Sequence, residues 1–183
     1  MARKVLITGA TGDTGRAAVK ESIALGLEVR AMVHSKDARS EALEKLGAEV
    51  VVGDLLEINT IRAAMEGVEA AYLVWPVQPG LIQATVNFAQ AAREASVSTI
   101  INLSQRSANR YSKSNSCRDT FIAEQVLNWE SRSSISARPI SSSGCSTRGS
   151  CRICSRAFSV FRSARGGTPR SQPTIRAAPL PRS

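Results

Sequence analysis

The sequence predicts an α/β fold, a doubly wound parallel sheet over residues 1–129 that is followed by an irregular C-terminal segment. Three observations support this prediction. Short apolar stretches alternate with helical segments, which is the pattern of βαβ units. Three glycines at three-residue spacing follow the first apolar stretch. Polar residues follow the ends of the predicted strands, where parallel sheets bind their ligands.

The predicted strands and helices alternate along the chain. Strands are predicted at residues 4–8, 28–33, 48–55, 70–75 and 98–104, and helices at residues 14–25, 40–46, 58–65, 80–95 and 117–129. Gly26 and Gly47 end the first two helices, because glycine readily adopts the left-handed conformation of a helix stop. Pro76 ends the fourth strand, because proline has no N–H to donate to a sheet.

The first strand, turn and helix predict a dinucleotide site. In the turn, Gly9 would form the bend, Gly12 would let the backbone approach a pyrophosphate, and Gly15 would allow tight packing of helix against strand. The N–H groups and positive dipole end of the helix favour a phosphate. The alternative is a plain turn between strand and helix. The residues predicted to hold the coenzyme here are Gly9, Thr11, Gly12, Asp13, Thr14 and Gly15.

The end of the second strand favours NADP over NAD, with NAD still possible. In dinucleotide folds an acidic residue at this place binds the ribose 2′-hydroxyl and would repel a 2′-phosphate. The sequence has no acid directly at the strand end. Instead His34, Ser35, Lys36 and Arg39 are available to a phosphate. Asp37 argues against this interpretation, and a solvated turn is the alternative.

Further candidate contacts follow the other strands. Asp54 either accepts a hydrogen bond from the adenine amino group or caps the next helix. We also expect coenzyme contacts from residues at the same strand ends, namely Leu55, Val74, Trp75 and Ser104.

Composition limits the other classes of function. The net charge of +9 does not come from residues 1–129, which hold 14 basic and 14 acidic residues. No signal peptide or membrane span is visible, so we expect a cytoplasmic protein without a membrane partner. The chain has one histidine, and Cys145, Cys151 and Cys154 lack a fourth ligand, so no metal site is expected.

Several motifs together resemble the NmrA-like group of atypical short-chain dehydrogenases. They are VLITGATGDTG at residues 5–15, GDL at 53–55, NLSQ at 102–105 and AEQVLNW at 123–129. The resemblance covers residues 3–129 and implies a Rossmann-like domain that binds NAD(P), usually NADP. Some members of the group reduce quinones or azo compounds, whereas others bind the nucleotide as redox sensors. The resemblance therefore implies an oxidoreductase-like protein or, alternatively, a non-catalytic NADP-sensing regulator.

The catalytic residues stay unassigned. Short-chain dehydrogenases usually place a tyrosine and a lysine four residues apart on a helix, where the lysine lowers the tyrosine pKa. Here Tyr111 and Lys113 are two residues apart in a predicted loop. NmrA-like proteins generally lack the pair, so the departure fits the group. Lys113 would either approach the nicotinamide ribose or remain a solvated loop lysine.

The segment 130–183 differs from the rest of the chain. Its ten basic residues are all arginine, against the single acid Glu130, and its composition predicts low order. Read one frame over, synonymous codons chosen for residues 135–147 give Leu-Arg-Pro-Thr-Tyr-Phe-Leu-Glu-Trp-Leu-Leu-Tyr-Pro, which is similar to the segment that follows this helix in the NmrA-like group. We therefore expect a shifted reading frame near residue 130. As a consequence, we expect the domain to lack the part that would select a substrate. An arginine-rich tail could bind nucleic acid through phosphates, but we do not expect a nucleic-acid partner.

Overall fold

The computed structural model describes residues 3–131 and 136–141. Strands and helices alternate throughout this part of the chain. The strands are β1 (Lys4–Ile7), β2 (Glu28–Val33), β3 (Glu49–Val52), β4 (Ala70–Leu73), β5 (Thr99–Ser104) and β6 (Ser136–Ser141). The helices are α1 (Asp13–Ala24), α2 (Ala38–Lys45), α3 (Ile58–Met65), α4 (Leu81–Glu94) and α5 (Asn115–Ser131).

All six strands form one parallel sheet in the order β3-β2-β1-β4-β5-β6. The chain moves outward from β1 through β2 to β3, then returns to the other side of β1 with β4. This reversal lies between β1 and β4, and it opens a crevice outside their carboxyl ends. The predicted α/β class and the doubly wound parallel sheet are confirmed.

The two faces of the sheet carry separate apolar cores. Side chains alternate along β1, so that Leu6 packs in the core under α3, α4 and α5, whereas Val5 and Ile7 pack in the core under α1 and α2. Phe88 of α4 and Leu43 of α2 are fully buried examples from the two sides. The sheet is thus covered on both faces, as parallel sheets require.

A charged residue lies inside this arrangement. Arg30, near the middle of β2, is buried and directs its guanidinium to the C-terminal end of α3, where Nη1 donates to the carbonyl oxygens of Ala64 and Glu66, both at 2.8 Å. Its Nη2 lies 3.0 Å from Oε1 of Glu49 on the neighbouring strand. Arg30 therefore satisfies carbonyls that the end of a helix leaves without intrahelical partners.

One strand falls within the segment for which low order was predicted. Helix α5 runs to Ser131, and β6 pairs in parallel with β5 from Thr99↔Ser136 to Ser104↔Ser141. Composition did not indicate this strand, because its residues lack a continuous apolar run. The predicted frame shift and the three cysteines of residues 142–183 lie outside the described residues, as do residues 132–135. None of the helices in the described part is long and apolar enough to cross a bilayer.

Candidate functional site

The glycine turn after β1 has the strand–turn–helix geometry predicted for it. Gly9 adopts a φ of +58°, a conformation that favours glycine, and its carbonyl accepts a 3.1 Å hydrogen bond from the N–H of Gly12. A Cβ at Gly15 would lie 2.1 Å from the Gly9 oxygen and 2.8 Å from the Cα of Ala10. Gly15 therefore packs against the turn residues Gly9 and Ala10, whereas the prediction placed this contact between the helix and the strand.

Gly12 has no such internal requirement. Its φ of −78° suits any residue, and a Cβ there would meet only the Gly9 oxygen, at 3.4 Å. Gly12 is also the N-cap of α1, and no side chain caps this helix. A backbone surface without a Cβ, placed at a helix start, is what a pyrophosphate needs for close approach.

Thr8 joins the turn to the neighbouring strand. Its Oγ1 accepts from the N–H of Val74 at 2.8 Å and lies 3.2 Å from the carbonyl oxygens of Tyr72 and Val74. These bonds hold the carboxyl ends of β1 and β4 together directly beneath Gly9. The geometry of the turn is thus supported by a buried side chain that the sequence analysis had assigned only to the strand.

A cleft of about 500 Å³ opens at the carboxyl ends of β1 to β4. It brings together seven of the predicted contact residues, namely Gly9, Thr11, His34, Asp54, Leu55, Val74 and Trp75. Sequence reasoning missed a second set that completes its walls, namely Thr8, Met32, Val33, Gly53, Leu56, Pro76 and Gln78. The available signal was their position, because five of the seven directly adjoin a predicted contact residue in the sequence.

His34 and Asp54 face each other across the ends of β2 and β3. His34 Nε2 lies 3.7 Å from Asp54 Oδ2, and the His34 side chain is exposed. The alternative role of Asp54 as the cap of α3 is wrong, since the N-cap is Glu57 and makes no side-chain cap. Asp54 Oδ1 instead accepts from the N–H of Leu56 at 2.9 Å, which fixes the turn before α3.

Two of the cations predicted to hold a 2′-phosphate are engaged within the protein. Arg39 forms a two-pronged ion pair with Asp37 Oδ2, at 2.8 and 2.7 Å, and Lys36 Nζ lies 3.4 Å from Glu44. Asp37 is the N-cap of α2, and its hydrogen bonds to the Ser40 backbone and to Arg39 lower the pKa of its carboxyl group. Lys36 does not line the cleft. The negative charge of Asp37, which argued against NADP, is compensated by the charge of Arg39.

A smaller cavity of about 130 Å³ lies beyond Trp75, at the carboxyl ends of β4 and β5. Trp75, Pro76 and Gln78 line both cavities, and the indole N–H of Trp75 donates to the Gln78 carbonyl at 3.2 Å. Buried Ser104 lines this second cavity and donates a hydrogen bond from its hydroxyl to the carboxylate of Glu124 on α5. The predicted contact Ser104 therefore belongs to a different chamber from the others.

The remaining predicted residues line neither cavity; they are Gly12, Asp13, Thr14, Gly15, Lys36 and Lys113. Asp13 and Thr14 form the first turn of α1, where Asp13 pairs with Arg16 at 3.2 Å. Lys113 is exposed on the loop between β5 and α5 and lines neither cavity. Helix α5 contains no tyrosine and no lysine, so the usual catalytic pair is absent from this helix. In the described part of the chain, no group of three His, Cys, Asp or Glu side chains is placed to hold a metal ion.

A parallel sheet in the order 3-2-1-4-5-6, with a glycine turn at its reversal point, defines the Rossmann class of dinucleotide-binding domains. The model of the NmrA-like family matches residues 1–124, and the chain belongs to that family. The family comprises NAD(P)-binding proteins of the oxidoreductase type.

Individual relatives match only part of their own length. The NAD(P)H azoreductase of Xenophilus azovorans is 31% identical over 93 residues, which are 51% of this chain and 32% of that protein. An NADPH-dependent quinone oxidoreductase from Escherichia coli, solved with NADPH, is 25% identical with a TM-score of 0.61, over 69% of this chain and 45% of the other. NmrA, a negative transcriptional regulator, shares the fold at 21% identity and a TM-score of 0.67, over 77% of this chain and 45% of that one. The chain thus spans a third to a half of these proteins.

Proposed function

We propose that the chain binds a nicotinamide dinucleotide in the larger cleft and acts as an NAD(P)H-dependent oxidoreductase of the NmrA type. The observation that supports this most directly is the surface beside Gly12. The fold itself requires glycine at positions 9 and 15, whereas at position 12 only an incoming ligand would use the absence of a Cβ. The pyrophosphate would therefore lie against Gly12 and the start of α1.

The cleft provides distinct environments for the two ends of a dinucleotide. Asp54, Leu55 and Leu56 form an apolar wall with one acceptor, which suits an adenine and its ribose. Trp75 separates this wall from the chamber of Ser104, toward which the nicotinamide would be directed. Bound there, the coenzyme would supply a hydride.

The residues of the second chamber would position a polar acceptor of the hydride. The Ser104 hydroxyl is held by Glu124, and Gln105 Nε2 donates to Ser116 Oγ at 3.2 Å on the same wall. These groups would orient a polar acceptor atom, and the proton that completes the reduction would come from solvent, since the Ser104 hydroxyl donates its hydrogen to Glu124. Quinones and azo compounds are such acceptors, and proteins named for both activities are among the relatives. We propose these as the substrate classes.

For the coenzyme we favour NADP, with His34 as the residue nearest to a 2′-phosphate. Lys36 and Arg39 contribute less than their charge suggests, because both are engaged in ion pairs. The imidazole of His34 lines the cleft and is exposed to an incoming ligand. The preference for NADP therefore depends mainly on one side chain.

A non-catalytic nucleotide sensor is the second candidate. The observation that favours it is the missing tyrosine and lysine on α5, next to a second cavity of only about 130 Å³. In that case the nucleotide would bind in the same cleft, and its occupancy would control a protein partner instead of a reaction.

The decisive experiment is a titration of the protein with NADPH and NADH, followed by an assay of NADPH oxidation with a quinone. Gly12→Asp should abolish nucleotide binding, because the carboxylate adds bulk and negative charge beside the pyrophosphate. Gln125→Asp, on the exposed side of α5, is the matched control and should bind normally. Unchanged affinity in Gly12→Asp would contradict the proposed site. Binding without oxidation would favour the sensor.

A further inference from the structure

The walls of the larger cleft carry few ionisable side chains. Of its fourteen lining residues in the described part of the chain, only His34 and Asp54 are ionisable. The residues contributed by β1, β4 and the loops that follow them are uncharged. The sign of the field at the ribose end of the cleft is therefore set by one histidine and one aspartate.

The two groups are neighbours because their strands are neighbours. The strands β2 and β3 pair in register at Val33↔Val52, so their carboxyl ends bring His34 and Asp54 together, with Nε2 3.7 Å from Oδ2. Asp54 Oδ1 is held by the N–H of Leu56, which leaves Oδ2 as the oxygen that faces the imidazole. The acid is thus fixed in place, whereas the histidine is open to ligand and solvent.

The other charged groups near His34 compensate one another. On the segment that leads into α2, Arg39 pairs with Asp37, and Lys36 pairs with Glu44. Each pair joins one cation and one anion, so neither adds net charge. The net charge that a ribose substituent meets therefore changes only when His34 gains or loses its proton.

From this geometry we infer that the coenzyme preference of the site depends on pH: protonated His34 selects the 2′-phosphate of NADP, and neutral His34 leaves Asp54 to select the 2′-hydroxyl of NAD. The inference rests on the proposed function, since it concerns the same cleft. Histidine is the side chain whose charge ordinarily changes between pH 5 and 8, whereas a carboxylate stays ionised over that range. A carboxylate accepts a hydrogen bond from a ribose hydroxyl and repels a phosphate.

The test is isothermal titration calorimetry of the protein with NADP⁺ and NAD⁺ between pH 5.5 and 8.5 at constant ionic strength. The measured quantity is the ratio of the affinity for NADP⁺ to the affinity for NAD⁺. We expect this ratio to fall by about tenfold or more as pH rises, since a charge-assisted contact to the phosphate is lost. The 2′-phosphate takes up its second charge near pH 6, which acts in the opposite direction.

Four variants separate these contributions. His34→Arg keeps its charge, so its ratio should stay level or rise with pH as the phosphate ionises. In His34→Gln the ratio of NADP⁺ affinity to NAD⁺ affinity should be low and should not fall as pH rises. Asp54→Asn should retain its affinity for NADP⁺ at high pH. Lys45→Gln removes an exposed cation at the end of α2, outside the cleft, and is the control; its profile should follow that of the wild type.

The outcomes distinguish this inference from the proposed function. Binding of both nucleotides at a ratio that is level or rises with pH in the wild type would overturn the inference alone. The inference alone would also be overturned if the affinity ratio of His34→Gln fell with pH as much as that of the wild type. If neither nucleotide binds at any pH, the proposed function and the inference are both wrong.

Discussion

At the scale of single residues, the three glycines of the turn are glycine for different reasons. Gly9 needs a positive φ, Gly15 needs room beside the turn, and Gly12 needs neither. The sequence shows only their common spacing. Their separate roles depend on atoms that lie opposite each Cα, and these positions follow from the fold and not from the motif.

This difference leads to a prediction about stability. A Cβ at Gly15 would lie 2.1 Å from the Gly9 oxygen and 2.7 Å from its carbonyl carbon, so both backbone segments must move. We expect Gly15→Ala to lower the free energy of unfolding by about 2–3 kcal/mol, as overpacking against backbone does. Gly12→Ala, where a Cβ finds space, should change it by less than about 1 kcal/mol. Urea unfolding followed by circular dichroism measures both, and equal losses would contradict the assignment.

Arg30 supports a second prediction. Its guanidinium serves the carbonyls of Ala64 and Glu66, which no other described side chain is shown to contact. Arg30→Met should therefore lower the free energy of unfolding by about 2–4 kcal/mol, because buried acceptors lose a charged donor.

The control for this prediction is Arg39→Met, which removes an exposed ion pair at the surface and should cost at most about 1 kcal/mol. Both variants can be compared by urea unfolding at pH 7. Equal effects of the two variants would show that Arg30 does not anchor the end of α3.

At the scale of elements, apolar patterning predicted every strand and helix up to α5, and two of the ends that differ from the prediction lie where side chains bond locally. Helix α2 begins at Ala38, two residues before its predicted start, because Asp37 and Ser40 form a capping box. Strand β3 ends at Val52, where prediction extended it to residue 55, because the Asp54 N–H turns to Thr60 Oγ1 at 3.0 Å. Polar side chains thus decided boundaries that hydrophobic periodicity does not contain.

The same cause limited the prediction of the site. Seven predicted contacts meet in one cleft because they follow strand ends, and strand order alone brings those ends together. The engagement of Lys36 depends instead on the folding of α2, which places Glu44 beside it, and that of Arg39 on the local geometry at the start of the same helix, which places Asp37 beside it. No count of charges near a strand end reveals such pairing.

The contact between α3 and α4 gives a prediction about pH. Arg62 Nε and Nη2 donate to the two carboxylate oxygens of Glu94 at 2.7 and 2.9 Å, and this pairing, together with a hydrogen bond from Gln90 Nε2 at 2.6 Å, lowers the pKa of Glu94 from the ordinary 4.5 to about 2. A carboxyl group with a lowered pKa in the folded state stabilises the fold above pH 4.5, and the contribution disappears as pH falls toward 2.

Glu94→Gln should therefore lower the melting temperature at pH 7, and its difference from the wild type should shrink as pH falls from 4.5 to 2. Thermal unfolding in a series of buffers at constant ionic strength measures this difference. Glu28→Gln changes an exposed carboxylate for which the described residues show no ion pair, and it serves as the control. A difference that is constant over this pH range would exclude the pair as its source.

At the scale of the whole molecule, two properties change at the same place. Residues 1–129 are balanced in charge, whereas the excess of basic residues lies in residues 130–183. The match to the family ends at residue 124, close to the same point. The described sheet continues through β6, so the topology of the family extends past the place where composition changes.

We propose that the reading frame shifts near residue 130, and sequencing of the coding DNA and its transcript tests this. We expect an inserted or deleted base near codon 130, whose correction gives a segment with a charge balance like that of residues 1–129. An intact frame in the DNA and the transcript, with no family-like sequence in another frame, would show that the arginine-rich segment is genuine. In that case, salt-dependent DNA binding that is lost when residues 131–183 are deleted would assign the segment a role.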